Sequence, residues 1–385
     1  MKSKNSIVSI TAVVICLAAL VIGAFLGRRA KPAGQNPYYT IEYELVRVTQ
    51  VLRDSYEVDP ETENALRGSQ SLCVTVLTGR YKGDVMNVNN YLGPMHEKVA
   101  KAGTVLTVTI TSDSREPGYQ MSIVNYDFTW LAAAIVLIFA AAAITVGRKK
   151  GVMSLFGLAY SLAAIILFLI PMWLKGFPAI PLTLIVCVFI TVFSFTLLGG
   201  VTRKTVSAML GTALCVLVSG AFALICGSIA RVSGMTMDEA EWLLDESRTL
   251  EGITLNVRGL FVSGIIISSL GAVMDVAMSI ASSVNELHEV DPGLSRGELF
   301  RSGMNIGRDM IGTMTNTLIL AFVGASLNLM IIMAAAGMQP YQLINNDDTI
   351  MELIRSAAGS VGLILAVPLT AAVASAAAKK TGIKQ

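Results

Sequence analysis

Residues 257–284 read VRGLFVSGIIISSLGAVMDVAMSIASSV. An apolar run of this length crosses a hydrocarbon core of about 30 Å as a single helix. Near its middle stands one carboxylate, Asp275, flanked by Gly271 and Ser279. Placing an acidic side chain at the centre of a membrane helix costs at least about 2.5–3.5 kcal/mol. Spanning a bilayer does not require it. Asp275 is therefore where this chain is expected to act, and the surrounding run fixes the fold class as a membrane protein.

Runs of the same kind recur on both sides. The chain has 385 residues, 54% hydrophobic and 15% charged, with a mean hydropathy of +0.64. Soluble domains carry about a quarter charged residues. Eight spans are read, at about 7–27, 129–147, 153–174, 178–199, 206–229, 257–284, 309–336 and 355–378. The first resembles a signal peptide in its basic start, Lys2 and Lys4. Its apolar stretch is longer than a signal core, though, and it ends in Arg28 and Arg29 with no small-x-small site before them. An uncleaved anchor is the favoured reading.

Charge sets the orientation. Arg148-Lys149-Lys150, Arg203-Lys204, then Arg296, Arg301 and Arg308, and finally Lys379, Lys380 and Lys384 fall on one side. The opposite loops hold Asp238, Glu239, Glu241, Asp245 and Glu246, then Asp347, Asp348 and Glu352. The basic side is cytoplasmic by the positive-inside rule, so both termini are inside. Arg28, Arg29 and Lys31 run against this scheme and are outweighed. The net charge of +2 points to no nucleic-acid partner. Of five cysteines only Cys73 lies outside the spans, so no disulfide is expected in the polar segment.

The segment 30–127 is polar enough to fold separately after a linker containing Pro32, Gly34 and Pro37. Apolar residues alternate with polar ones at 41, 43 and 45, at 72, 74 and 76, at 106, 108 and 110, and at 119, 121 and 123. Period-two alternation marks strands with one buried face. A fifth strand fits 84–89 after a turn at Lys82-Gly83. Five short strands imply a small barrel of the OB kind. No aromatic-rich basic stripe is present to grip a single nucleic-acid strand. His96 is a lone histidine, read as solvated. Residues 236–245 have the spacing of a short amphipathic helix on the external side.

The expected architecture is therefore an all-α polytopic bundle of about eight transmembrane helices with a small all-β, OB-like extracytoplasmic domain. Its parts are an anchor (1–29), the β-domain (30–127), a seven-helix bundle (128–378) and a basic tail (379–385).

In the sixth span Ser268, Gly271, Ala272, Asp275, Ser279 and Ser282 form one stripe of small or polar side chains at helical steps. Small residues permit close helix approach, so the carboxylate is expected to face protein rather than lipid. The seventh span offers Gly312, Thr313, Thr315, Asn316 and Thr317 at a matching depth. Thr313, Asn316 and Thr317 share a face and are candidate hydrogen-bond partners. No Lys or Arg lies at that depth in any span. A membrane carboxyl without a cation is suited to taking up and releasing a proton; the structural alternative is that protonated Asp275 only joins helices. Arg308 and Asp309 read as interfacial anchors. Glu286, His288, Glu289, Asp291 and Glu298 read as a solvated link, with no standard metal spacing. Gly359, Gly362 and Pro368 mark close packing and a candidate hinge.

The stretches GLFVSGIIISSLGAVMDVAMSIASSVNELHE and LFRSGMNIGRDMIGTMTNTLILAFVGASLNL, with TGRYKGDVMNVNNYL in the polar segment, resemble the YibE/F-like family of multi-pass bacterial membrane proteins. That resemblance implies architecture and little mechanism. The layout of the last three spans is also similar to the terminal helices of SecD/SecF export factors and related RND permeases, which implies an acidic residue carrying protons within the bundle. This chain departs from that pattern in having two more spans after the external domain.

Enzyme signatures are missing: no H-E-x-x-H, G-x-S-x-G or P-loop occurs, and no cofactor or metal is expected. The sequence points to a proton- or ion-coupled secondary transporter or export-assisting permease of the bacterial cytoplasmic membrane. The alternative is a non-transporting scaffold or assembly factor whose β-domain binds a partner. Beyond the lipid bilayer, a homo-oligomer or a paired membrane subunit is the expected company.

Overall fold

The structure is a computed structural model and describes residues 2–28, 39–60, 65–94, 98–113, 115, 118–232 and 256–378. The expected linker, His96, the 236–245 helix and the basic tail lie outside the described residues. The chain divides into two units, residues 34–142 and residues 1–33 with 143–385.

The smaller unit holds five antiparallel strands, β1 (Tyr39–Asp59), β2 (Ala65–Val76), β3 (Val85–Leu92), β4 (Val105–Asp113) and β5 (Tyr119–Tyr126). They form one sheet in the order β3-β2-β1-β4-β5. β1 is much longer than the alternation at 41–45 suggests, because it serves two partners. Its first half pairs with β4, from Tyr39↔Asp113 to Arg47↔Val105. Its second half pairs with β2, from Val46↔Val76 to Asp59↔Ala65. Register shifts at Val48/Gln50 and Val51/Arg53 bend it between them, as bulges do. The edge strands then approach each other: the Tyr119 hydroxyl donates to Asp84 at 2.9 Å and its ring lies 4.2 Å from that of Tyr81. The result is a partly open, OB-like half-barrel.

Its interior is Val46, Val48, Leu72, Val74, Leu106, Val108 and Ile110. The faces expected for β2, β4 and β5 are the ones found. The start of β1 is reversed: Ile41 and Tyr43 are exposed, at 53% and 69%, and Glu42 and Glu44 sit on the inner side. Val46 and Val48 set the phase of the strand, and a period of two carries the even positions inward from there.

A single polar side chain organises the apolar interior. Gln70 is fully buried. Its Nε2 donates to Asp54 at 2.7 Å, and its Oε1 accepts from Asn90 Nδ2 at 3.1 Å and from the Ala100 backbone N–H at 2.8 Å. It ties the 98–104 segment to the sheet. Gln70→Leu leaves the Ala100 N–H without its partner and weakens Asn90, each at about 1–3 kcal/mol. The expected result in the full chain is faster amide exchange at Ala100 and along β2, with the helical unit unchanged.

The larger unit is helical. Its elements are α1 (Lys2–Arg28), α2 (Thr129–Ala163), α3 (Ala179–Gly199), α4 (Arg203–Ile229), α5 (Val257–Val290), α6 (Arg296–Ala325), α7 (Leu327–Ala335), α8 (Pro340–Ile344) and α9 (Asp347–Ala377); the first turns of α2 fall in the smaller unit. α2 continues through a π-helical stretch, Ala164–Leu169, to Trp173. The wide turn precedes Pro171, which has no N–H for a regular bond.

Among the described residues five helices are long and apolar enough to cross a membrane, or six when α6 and α7, bent by 56° at Ser326, count as one. Eight were expected. The spans expected at 129–147 and 153–174 are found as two helical stretches within Thr129–Trp173 that meet at a kink at Arg148, whose backbone leaves helical geometry at φ 49° and ψ −128°. No proline separates them. α1 has an apolar core of only Val8–Gly23. The seventh span starts thirteen residues before Asp309, because Ser295 and Glu298 form a capping box that nucleates α6 at Arg296. The link between spans six and seven is thus a short turn, with Glu286, His288 and Glu289 still on α5.

The centre of this unit is α4, α5 and α9, packed through small residues. A Cβ on Gly362 would stand 2.9 Å from Ser219 Cβ, and one on Gly220 2.9 Å from Ile266. Gly211 abuts Thr370 in the same way. The Ser219 hydroxyl donates to the Ala358 carbonyl at 2.9 Å. Without a hydrophobic driving force between helices in lipid, such close contacts and interhelical hydrogen bonds hold a bundle together.

Candidate functional site

α5 is amphipathic in an unusual sense. One side is wholly buried against α4 and α9, with Ile265, Ile266, Val273, Val276 and Ile280 all inaccessible. The other side is exposed and carries Gly264, Ser268, Gly271 and Asp275, with Ser279 and Ser282 half-buried. Over the whole helix the only exposed large apolar side chain is Val290, its last residue. Elsewhere the exposed surface looks like a lipid-facing one: α4 presents Leu210, Leu214, Leu217 and Ile225.

α6 repeats the pattern. It packs on α9 through Gly303, which meets Val284 and Ala371, and Gly307, which meets Val367. Its free side is polar from Arg301 through Asn305, Arg308, Asp309, Gly312, Thr313 and Asn316 to Thr317. No large apolar residue is exposed on α6 between Phe300 and Ile319. The spacing is a helical period visible in the sequence. It goes unnoticed when the span is taken to begin at Asp309, because the first two polar turns then look like a loop.

Asp275 lies 15 residues from the end of α5 and Thr313 lies 17 from the start of α6, so about 23 Å and 26 Å from the turn that joins them. The match expected from sequence pairs Asp275 with Asn316, but Asn316 lies 20 residues from the start of α6, about 30 Å, so Thr313 is the nearer match in depth. The expected hydrogen bonds are absent among the described residues. Thr313 Oγ1 donates to Met310 O at 3.1 Å and Thr317 Oγ1 to Thr313 O at 2.9 Å, both within their own helix. Thr315 Oγ1 is buried without a partner. Among the described residues nothing bonds to the Asp275 carboxylate or to the Asn316 amide, and Asp275 faces outward from the chain.

Pro368 lies inside α9, which continues unbroken past it, between Val367 and Ala371 where the α6 glycines pack. An ion pair missed from sequence joins Arg355 to Glu352 at 2.8 Å, with the guanidinium 5.8 Å from the Phe261 ring. Phe261 is 14 residues before Asp275 on α5, about 21 Å along the axis, so this cation does not serve Asp275. Only contact between α5 and α9 reveals the pair's setting, which no local pattern encodes. Among the described residues no three His, Cys, Asp or Glu side chains converge on a metal position.

A cavity of about 480 Å³ opens between α3 and α4. Apart from Thr191 and Thr212 its lining is apolar, including Leu184, Phe189 and Met209. It suits hydrocarbon and is separate from the Asp275 face.

No curated protein and no solved structure is detectably similar to the chain. One family, described as YibE/F-like protein, matches residues 135–380, which take in α3 to α9 and every residue of the polar face. The match covers well over half of the sequence, so the chain is an integral membrane protein that belongs to the YibE/F-like family.

Proposed function

We propose that the chain is a secondary transporter or export-assisting permease, coupled to protons or another ion through Asp275. The observation that carries this reading is the polar outer face of α5 and α6 at mid-membrane depth, next to helices whose outer faces are apolar. Acidic residues inside membrane segments face a cavity or another protein surface and mark ion paths. Among the described residues the carboxylate has neither a cation nor a hydrogen-bond partner, so a proton or a small cation is the natural partner. Thr313, Asn316 and Thr317 supply the polar wall along which it passes. Gly271 and Gly312 keep that wall free of bulk. In this reading the protein sits in a bacterial cytoplasmic membrane with both termini inside and the β-domain outside, and performs no bond-breaking chemistry. The test is proton or sodium flux into vesicles containing the purified chain, compared with Asp275→Asn.

One observation favours a second reading, a scaffold whose β-domain binds a partner. The outer surface of β1 presents Ile41 and Tyr43 side by side with Thr109 and Thr111 of β4. In that case the β-domain on an unrelated membrane anchor rescues a strain lacking the protein. Failure to rescue, with the domain folded and exported, removes this reading.

A further inference from the structure

We propose that the polar face of α5 and α6 is an interface between two copies of this chain, related by a two-fold axis along the membrane normal. In it, Asp275 of each copy meets Thr313 and Asn316 of the other. This goes beyond the transport reading and does not need it.

The glycines carry the first argument. On α5 and α6 they fall into two classes. Gly259, Gly303 and Gly307 are filled by neighbours in the same chain, and Gly297, in the first turn of α6, touches only Ser295 beside it. Gly264, Gly271, Gly312 and Gly324 have nothing within 4 Å of an added Cβ. All four open ones lie on the exposed side. A flat glycine surface in a membrane helix lets a second backbone approach closely, and among the described residues no helix of the same chain makes use of it.

The second argument is complementarity. Among the described residues the Asp275 carboxylate, on α5, is an acceptor without a partner, and the Asn316 amide, on α6, is a donor without one. Asp275 lies about 23 Å from the α5–α6 turn and Asn316 about 30 Å. Side chains lean toward the N-terminus of their own helix, which is away from the turn for Asp275 and toward it for Asn316, so the two polar ends come within about one helical turn in depth. Rotation about an axis along the membrane normal preserves depth. It therefore brings each donor near an acceptor twice over, which is the self-matching that a two-fold interface requires. Lipid offers neither group a partner.

The third argument is the composition of the face. Along α5 before Val290 and along α6 between Phe300 and Ile319 it lacks the large apolar side chains that cover α4, so acyl chains are a poor occupant there. It carries Arg301 and Arg308 with Asp275 and Asp309, two of each sign, and so calls for no partner of strong net charge.

The test uses the full chain with two different tags, its five native cysteines replaced, and both forms made in one cell. Gly271→Cys in one form and Asn316→Cys in the other should give a disulfide-linked species bearing both tags. Subunit counting of the unmodified chain, extracted with its native lipids, should give two copies. Gly271→Leu should turn that into one copy while the chain stays folded, since nothing in its own chain fills that space. The proposal is overturned by one copy per particle in the unmodified chain. It is equally overturned by a two-copy state that survives Gly271→Leu, or by Gly271→Cys and Asn316→Cys in the same chain linking only within that chain. If the cysteine-free background does not fold, the counting experiments decide alone. Two copies without ion flux would remove the transport reading and leave this one standing.

Discussion

Asp275→Asn reduces ion flux to the level of protein-free vesicles and leaves the amount of folded chain unchanged. Asparagine has nearly the shape of aspartate and keeps an oxygen and a hydrogen-bonding end, but it cannot take up and release a proton near neutral pH. The buried side of α5, from Val273 and Val276 to Ile280, is untouched by the change. Among the described residues the carboxylate makes no hydrogen bond that its loss would break. Insertion does not suffer either, because an acidic residue at mid-helix is among the most expensive to place, at about 2.5–3.5 kcal/mol. Asp275→Glu keeps the ionisable group on a longer arm and is expected to retain part of the flux. Flux is normalised to folded chain, measured as the monodisperse fraction after extraction. If Asn lowers that fraction while flux per folded chain stays as it was, Asp275 is a packing residue and the relay is wrong.

The features legible in the sequence are those written in local periodicity. The alternation at 72–76 and 106–110 gave strands with the right inner face because that side is buried there, and at 119–123 the same side is half-buried against the core. The small-polar stripe through Asp275 is real as a stripe, since α5 keeps one helical register from Val257 to Val290. What it faces is a different matter. Whether Thr313 reaches Asp275 depends on how α6 is rolled and tilted, and that is decided by Gly303 and Gly307 seating on α9. Those contacts join positions far apart in the chain: Gly303 and Gly307 carry the Gly-x-x-x-Gly spacing of a packing face, but nothing local names Val367 and Ala371 as what it packs on. The same holds for the reversed start of β1, where Val46 and Val48 overrule the pattern at 41–45. The boundary expected between residues 147 and 153 is legible for a local reason: the stretch Gly147-Arg148-Lys149-Lys150-Gly151 carries glycines and charges between two apolar runs, and the structure kinks there at Arg148.

Gly307→Ala is expected to destabilise the helical unit, although intrinsic propensity predicts the reverse. Alanine in place of glycine inside a helix gains about 1 kcal/mol. Against this, the new Cβ would run into the Val367 side chain, with Cγ2 at 2.9 Å and Cβ at 3.0 Å and Cγ1 closer still. Val367 has little room to yield. It is fully buried among Val276, Ile280, Leu363 and Ala371, and a β-branched side chain in a helix has essentially one χ1 setting. Pro368 beside it restricts the backbone as well. Overpacking of this kind costs about 1–3 kcal/mol, enough to exceed the propensity gain. The apparent Tm of the extracted full chain should then fall by roughly 2–8 °C. Val367→Ala removes both γ-methyls and is itself destabilising, because it opens a cavity. Combined with Gly307→Ala it should cost less than the two changes summed, by about 0.5–3 kcal/mol of coupling, since the new methyl occupies part of the vacated space. Additive losses would mean that α6 does not rest on α9 at this point. The tilt that carries Thr313 and Asn316 to the outer face would then have another cause.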